Sequence, residues 1–551
     1  MNSKRFTRLL TAAVTSLVVV PLSLTSCQSL PTSGPVTKFE LAPPDSASLQ
    51  LKGYGPVEDD SPEGIVRDFL RASAAGWSDD FQVARTYLTD EARKNWQPDA
   101  QVQIYANDQV PMIAHDGDQL QVETSIEGVL TSDGQYRMQY PATPETFNFT
   151  VVQNPQRQWR IQELPAGVVV SQTVFETAFQ QSSVYYLSPD ASTLVGDQRW
   201  FPRRRLAGYL MQSLLQGPSQ QLSPAVISAV PEGAKLPLRS VDIQNGRALV
   251  ELEGPPLSDT KAQEMFQWQV NSTLVQVANA SEARIKINGI KLSEGSLPPG
   301  LDWAMGSIVS IRPDGLAIDG EVVLDATQMG TSVSFPTIGP LASSPLVYLS
   351  GGQLMYVARG STQPTVLATV ADMTRPSVDR LSWVWFTSAG AINAANPGHG
   401  LVQVQATWAE SGDRIVDLAV SPDGAKALVT RGGKSPSLWV AAIRRSADGK
   451  PISLEEPTRI EGFKGTVLDS SWSGNNNVII LVKESEEKHL AISNMLMPAK
   501  VVAAPSDAVS VSAGASTQTV ILRTSSGSGY TRSGASWRYI PEVALEYSYP
   551  R

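Results

Sequence analysis

Glycine-centred turns, each followed by a β-rich run, recur after residue 300 at Gly315, Gly352, Gly390, Gly424, Gly474 and Gly514, with separations of 34 to 50 residues. A chain that reverses at such intervals, with alternating apolar residues between reversals, is built of short antiparallel strands. A repeat of about 40 residues holding four such strands is the mark of a β-propeller. The clearest copy is Ser421-Pro422-Asp423-Gly424, set between two alternating runs within Ile415 to Val429. Arg312-Pro313-Asp314-Gly315 is a second copy and Trp472-Ser473-Gly474-Asn475 a degenerate third. In the first two, Pro presets the turn, Asp bonds its own backbone and Gly accepts positive φ. The expectation is an all-β C-terminal propeller over 300–551 with about six blades. Seven is the alternative because the middle copies are weak, and an irregular β-sandwich is the competing all-β arrangement.

Upstream the period changes. Ser61-Pro62 pairs an N-cap with Pro at the first helical position, and Ile65, Val66, Phe69 and Leu70 share one helical face. A second helix is expected after Asp79, with Phe81, Ala84, Tyr87 and Leu88 in register. After Trp96-Gln97-Pro98 the period falls to 2, with strands at Gln119 to Thr124, Tyr136 to Tyr140, Phe147 to Val152 and Trp159 to Leu164. This predicts an α+β domain over 61–170, its sheet wrapped on its helices.

A second α+β domain is expected over 184–292. Val184 to Leu187 and Ser192 to Val195 read as strands, and Arg203 to Gln216 as a helix stopped by Gly217-Pro218. Val241 to Leu252 forms a hairpin about Asn245-Gly246, the dipeptide favoured in type I′ turns. Thr260 with Gln263 makes a capping-box signature for a helix carrying Phe266, Val270, Leu274 and Val277 on one face, and Arg284 to Ile290 is a last strand. Leu214-Leu215-Gln216-Gly217-Pro218, the Val250-Glu251-Leu252 strand end and Asn271-Ser272-Thr273-Leu274 give this stretch a resemblance to the GerMN domain of spore-germination proteins and lipoproteins.

Cys27 is the one cysteine in 551 residues. Before it stand the basic Lys4, Arg5 and Arg8, then the apolar Leu9 to Leu24, the build of a secretory signal and too short for a comfortable membrane span. Leu24-Thr25-Ser26-Cys27 resembles the lipobox of bacterial lipoproteins. That likeness implies removal of 1–26 by cleavage between Ser26 and Cys27, an S-diacylglycerol on Cys27, and an N-acyl group on its new amino terminus. An uncleaved signal anchor is the alternative. From Cys27 to about Asp60, Pro31, Pro35, Pro43, Pro44 and Pro56 among Ser, Gly and Asp predict a flexible tether (27–60).

Composition excludes several function classes. The formal net charge is −9, and without the three basic signal residues it is −12. So acidic a body repels nucleic acid and anionic lipid, leaving membrane attachment to lipid on Cys27. With Cys27 acylated, thiol catalysis and Cys-based metal sites are excluded. Only three histidines, His115, His399 and His489, are present. Ser258-Asp259-Thr260-Lys261 and Ser485-Glu486-Glu487-Lys488 satisfy Ser-x-x-Lys, but the Lys-Thr-Gly partner motif is missing. A helix start explains the first and a charged loop the second. His115-Asp116-Gly117-Asp118 groups metal-binding side chains, yet one hairpin turn accounts for it. Arg203-Arg204-Arg205 is suited to gripping an anionic polymer or to starting a solvated helix. Trp383, Trp385, Trp408, Trp439, Trp472 and Trp537 are expected mostly between blades. No catalytic residue, metal site or cofactor is predicted, and the chain is read as a non-enzyme.

The order of lipobox, tether, α+β domain, GerMN-like domain and propeller resembles the LpqB family of actinobacterial lipoproteins. Ser29-Leu30-Pro31 and Asp80-Phe81-Gln82-Val83-Ala84-Arg85 add to the likeness. The resemblance implies a lipoprotein held on the extracytoplasmic face of the cell membrane, accessory to the sensor kinase MtrB of the MtrA–MtrB two-component system and tied to cell-wall homeostasis and division. A module that binds wall glycan or muropeptide, without kinase contact, is the alternative. No ligand-binding residue can be assigned from the sequence.

Overall fold

Among the described residues, six α-helices and 37 strands form a helix-on-sheet region, a smaller mixed region and six radially repeated sheets. The structure, a computed structural model, describes residues 52–551 apart from 117–118, 238–239, 294–297, 299, 410–413 and 542–543. Ser26, Cys27 and the tether as far as residue 51 lie outside the described residues.

In the N-terminal region, helix α1 (Pro62–Ala74) starts as its sequence predicts, with Ser61 Oγ accepting from Gly64 N at 3.1 Å and Pro62 in the first turn. The helix expected after Asp79 is only one turn, α2 (Gln82–Arg85). Asp80 and Phe81 take left-handed φ values of 56° and 60°. The chain then turns to sheet pairing: Thr89 N donates to Ile161 O, and Ile161 N to Tyr87 O, both at 2.9 Å. Phe81 still reaches the core, edge-on to Trp77 and Trp96. After α3 (Asp90–Asn95) come β1 (Gln101–Tyr105), β2 (Met112–Asp116), β3 (Gln119–Thr131), β4 (Tyr136–Gln153), β5 (Trp159–Glu163) and β6 (Val168–Ser171). The sheet order is β5-β4-β3-β1-β6, with β2 on β3 and β1 parallel to β6. The two runs expected at 136–140 and 147–152 are one continuous strand, because β3 is long enough to pair with both across an irregularity at Ile126 to Gly128.

Helix α4 (Gln172–Ala178) leads into β7 (Phe179–Leu187) and β8 (Leu194–Pro202), paired along their whole nine-residue lengths. This hairpin spans roughly 30 Å at ~3.3 Å per residue. Its base, Phe179 and Trp200, is buried in the N-terminal core, and its middle, Val184, Tyr186 and Val195, in the next one. There α5 (Leu206–Gln216) packs on β7–β8 and on α6 (Thr260–Leu274), and α6 packs on a sheet of β9 (Asp242–Gln244), β10 (Arg247–Leu252), β11 (Glu282–Ile287) and β12 (Ile290–Lys291), with β10 parallel to β11. Asn245 and Gly246 turn with φ of 50° and 77°, as the type I′ expectation requires. The cap of α6 is Asp259, whose Oδ2 accepts from Ala262 N at 2.8 Å, one residue before the expected Thr260. A carboxylate at that position answers the helix N-terminal charge better than a hydroxyl, and Gln263 turns instead to Leu257 O.

The remaining strands form six sheets, the blades of a propeller. Blade 1 runs outward from Glu546–Ser548 through Val309–Arg312 and Gly315–Ile318 to Glu321–Asp325. Its innermost strand thus comes from the far end of the chain and closes the ring beside the innermost strands of blades 2 and 6, Ser334–Ile338 and Ala508–Ala513. The innermost strands of blades 3, 4 and 5 are Ser377–Val378, Ile415–Val420 and Thr466–Ser473. The six glycines fall one per blade, but not at equivalent turns. Gly315, Gly352 and Gly390 sit between the second and third strands of their blades, while Gly424, Gly474 and Gly514 sit between the first and second.

Candidate functional site

Two concave features and one junction carry the polar chemistry of the described residues. The first feature is a cleft of about 750 Å³ in the N-terminal region, between α1, β6 and the segment 52–57. Leu70, Ala74, Ile113, Val169 and Val174 make its apolar wall, and Glu63, Arg67 and Arg71 stand at its edge. The segment 52–57 belongs by composition to the tether, yet it lines this cleft, and Tyr87 Oη donates to Tyr54 O at 2.8 Å. Burial pushes the Tyr87 phenol up to about 12, so it remains a donor at neutral pH. Tyr54, Val57, Val110 and Met112 are exposed beside it.

The second feature is the axial mouth of the propeller. Arg375, just before the innermost strand of blade 3, reaches Asp417 Oδ2 at 3.0 Å and Asp469 Oδ1 at 2.5 Å. Asp417 also receives Arg551 Nη2 at 2.5 Å. Burial opposes the charge on Arg375, but the two aspartates outweigh it and hold the guanidinium protonated. Burial alone would likewise raise the Asp417 carboxyl, and Arg551 and Arg375 hold it low. Next to this network lies a cavity of about 70 Å³ bounded by Phe335, Arg375, Ser510, Arg523, Glu546 and Arg551. Burial pushes the Glu546 carboxyl above the ordinary glutamate range, against the Phe335 N–H that it accepts at 2.7 Å and the nearby Arg523 and Arg375.

At the opposite ends of the innermost strands, the β7–β8 tip enters the propeller. Arg380 Nη1 and Nη2 bond Asp190 Oδ2 and Oδ1 at 3.0 and 2.6 Å, Nη1 bonds Ser192 Oγ at 2.8 Å, and Nε bonds Asp423 O at 3.0 Å. Burial alone would raise the Asp190 carboxyl, but the hydrogen bonds from Arg380, Ser188 and Ser192 hold it well below the usual carboxylate range. Behind this contact, Asp379 is fully buried and fully used. It accepts from Leu381 N, Trp383 N, Trp385 Nε1 and Arg445 Nη2 at 2.6 to 2.9 Å. In the middle of the hairpin, buried Arg199 bonds Asp197, Ser213 Oγ and Gly217 O, which fixes the Gly217-Pro218 stop of α5.

The sequence candidates disperse. Ser258 precedes the Asp259 cap, and Ser485 sits in the two-residue turn between Glu484 and Glu487. His115 Nε2 contacts Glu63 Oε1, and among the described residues no His, Cys, Asp and Glu group could hold a metal ion. Arg203 donates to Thr177 O and Gln180 Oε1, and Arg205 pairs with Asp80 through two bonds of 2.9 and 2.8 Å, so two of the three arginines are used within the chain. Trp383, Trp385 and Trp472 are buried, while Trp408 and Trp439 flank the Arg431 guanidinium at 4.8 and 4.5 Å from their ring centres. The axial network was not legible in the sequence, since Arg375, Asp417, Asp469 and Arg551 share no motif and meet only when the ring closes.

Three family models match in order: the N-terminal domain of lipoprotein LpqB over 55–176, a sporulation and spore-germination domain over 183–293, and the lipoprotein LpqB β-propeller domain over 328–550. The chain is 25% identical to lipoprotein LpqB of Rhodococcus jostii, with 87% of each chain covered. It is 28% identical to that of Corynebacterium diphtheriae, with 85% of each covered. Among solved structures, TolB from Acinetobacter baumannii is similar at 16% identity and a TM-score of 0.34, over 44% of this chain and 66% of that one.

Proposed function

The chain belongs to the LpqB lipoprotein family, and we propose that it is a membrane-anchored, extracytoplasmic and non-enzymatic lipoprotein, held through acylated Cys27, that modulates an MtrB-like sensor kinase linked to cell-wall homeostasis and division. The observation that carries this reading is the order of the three matched domains behind the Leu24-Thr25-Ser26-Cys27 segment. Confinement to the membrane raises the effective concentration of an accessory protein beside its partner without strong contacts. Differential binding to two kinase states of about 1–3 kcal/mol then suffices to bias signalling. The test is co-purification with the extracytoplasmic kinase domain, together with response-regulator phosphorylation in a deletion strain; unchanged phosphorylation overturns the reading.

The 750 Å³ cleft favours a second reading, binding of a cell-wall glycan or muropeptide without kinase contact, because its tyrosines and edge charges suit a ligand with both apolar and polar faces. Isothermal titration of the soluble body with wall fragments separates the two readings. Tyr105 also lines the cleft; heat on binding that vanishes in a Tyr105→Ala variant supports the second reading, and absence of heat removes it.

A further inference from the structure

The innermost propeller strands share a device at the end away from the β7–β8 tip. Four of them are irregular at their first residues: between Ser334 and Thr337, Ile415 and Asp417, Val467 and Asp469, and Ala508 and Ser510. Each irregularity carries an extra apolar residue: Phe335, Val416, Leu468 and Val509. Of these, Phe335, Leu468 and Val509 are 39%, 41% and 37% exposed, and Leu545, next to the innermost strand of blade 1, is 67% exposed. A β-bulge costs ladder hydrogen bonds and re-aims a side chain, so bulges gather beside functional sites. Single exposed apolar residues are ordinary, but the same placement in blade after blade forms a rim.

Inside the rim the polar groups are unevenly matched. Arg551 Nε is buried without a partner, and among the described residues the Arg523 guanidinium makes no hydrogen bond or ion pair, although both line the 70 Å³ cavity. Asp417 and Asp469 are already taken by Arg375, Arg551 and backbone N–H groups. The cavity has room for about two waters' volume. Glu546 shares the cavity, with its Oε2 accepting from Phe335 N at 2.7 Å and burial raising its carboxyl. The cavity therefore sets the donors of Arg523 and Arg551 against this single carboxyl, in a space of carboxylate size within an apolar border.

We propose that this end of the propeller docks a polypeptide partner through an acidic side chain flanked by apolar residues, the carboxylate entering the axial cavity towards Arg523 and Arg551 Nε. A carboxylate there would satisfy a buried donor left orphaned in the free protein, and the rim would exclude water around it, the arrangement of an interface hot spot. Among the described residues the hairpin tip occupies the opposite end of the propeller. The inference holds whether or not the partner is the kinase.

The test places a photo-crosslinking residue at Leu468 or Leu545 of the full chain in native membranes, with Val366 on the outer strand of blade 2, 51% exposed, as control. The expected result is an adduct from the two rim positions and none from Val366. Its cross-linked peptide should contain Asp or Glu between apolar residues, and Arg523→Glu should reduce its yield roughly tenfold or more. Arg523→Gln, which removes the charge without reversing it, should reduce it less, while both variants keep the unfolding temperature. An adduct with lipid or with a second copy of the chain, an adduct indifferent to Arg523, or no rim adduct overturns the proposal. A kinase adduct found only elsewhere on the chain overturns it while leaving the kinase role standing; a rim adduct with a different polypeptide that meets the charge criterion supports it, and the kinase role is then decided by the phosphorylation test alone.

Discussion

At the scale of single residues, stability is concentrated in buried charges that have every partner they need. Asp379 satisfies two backbone N–H groups, Trp385 Nε1 and Arg445, and the Arg445 guanidinium also lies 5.4 Å from the Trp385 ring centre. Asp379→Ala would orphan all of these at once, and breaking one side of a buried pair costs about 3–5 kcal/mol. We expect a loss of that size in urea unfolding, and a double Asp379→Leu, Arg445→Leu variant that loses clearly less than the two single changes summed; additive losses would show the pair to be uncoupled. Asp190 predicts a pH dependence. Its carboxyl pKa is lowered in the folded state, so the unfolded chain binds the proton more readily, and the stabilisation is fully present above the ordinary value of 3.8 and lost as pH falls through the lowered one. Unfolding free energy measured downward from about pH 5 should therefore fall, and Asp190→Asn should flatten that slope. Glu546 has the opposite sign. Its raised pKa means that any stability it confers is present below the ordinary 4.5 and lost as pH rises through the raised value.

At the scale of elements, what the sequence made legible was local turn chemistry, and what it hid was length and irregularity. Ser421-Pro422-Asp423-Gly424 folds as read, with Ser421 Oγ and Asp423 Oδ1 bonded at 2.5 Å and Lys426 N held by Ser421 Oγ at 3.0 Å, because those residue types permit little else. One glycine turn per blade gave the right count even though the turns change place halfway round the ring. The full length of β7–β8 was invisible, since Phe179 and Trp200 satisfy a neighbouring core rather than a pattern of their own. The rim bulges were invisible too, because an extra residue breaks the alternation by which strands are recognised. Gly514 shows why a weak copy can still be fixed. It needs no positive φ, but a Cβ there would stand 2.5 Å from Met305 O and 3.2 Å from the Tyr549 ring. Gly514→Ala should therefore destabilise the closure between blades 6 and 1 by about 1–3 kcal/mol, read as a lower melting temperature. Gly534→Ala is the comparison: its φ of 65° also strains a side chain, but nothing lies within 4 Å, so it should cost only about 1–2 kcal/mol of backbone strain.

At the scale of the whole molecule, residues Leu51–Arg551 form one compact unit whose three regions are joined by more than chain connectivity. One hairpin buries its base in the first core, its middle in the second and its tip in the propeller, and Leu496 and Met497 of blade 5 pack back on the first core. Such a body has its cores within residues 52–551. The proposed acylation therefore makes a separable prediction. One acyl chain gives only reversible membrane attachment, at about 0.8 kcal/mol per buried CH₂, whereas two or more hold stably. Cys27→Ser should release the protein to the soluble fraction with an unchanged unfolding temperature and unchanged proteolytic resistance. In the same cells, kinase-dependent response-regulator phosphorylation should move to the level of the deletion strain, because confinement beside the partner is lost while every contact surface remains. If the released body retained full control of phosphorylation from solution, the partner affinity alone would be sufficient and the anchor would serve retention rather than signalling; if it lost its fold as well, Cys27 would have a structural role that none of the packing of residues 52–551 requires.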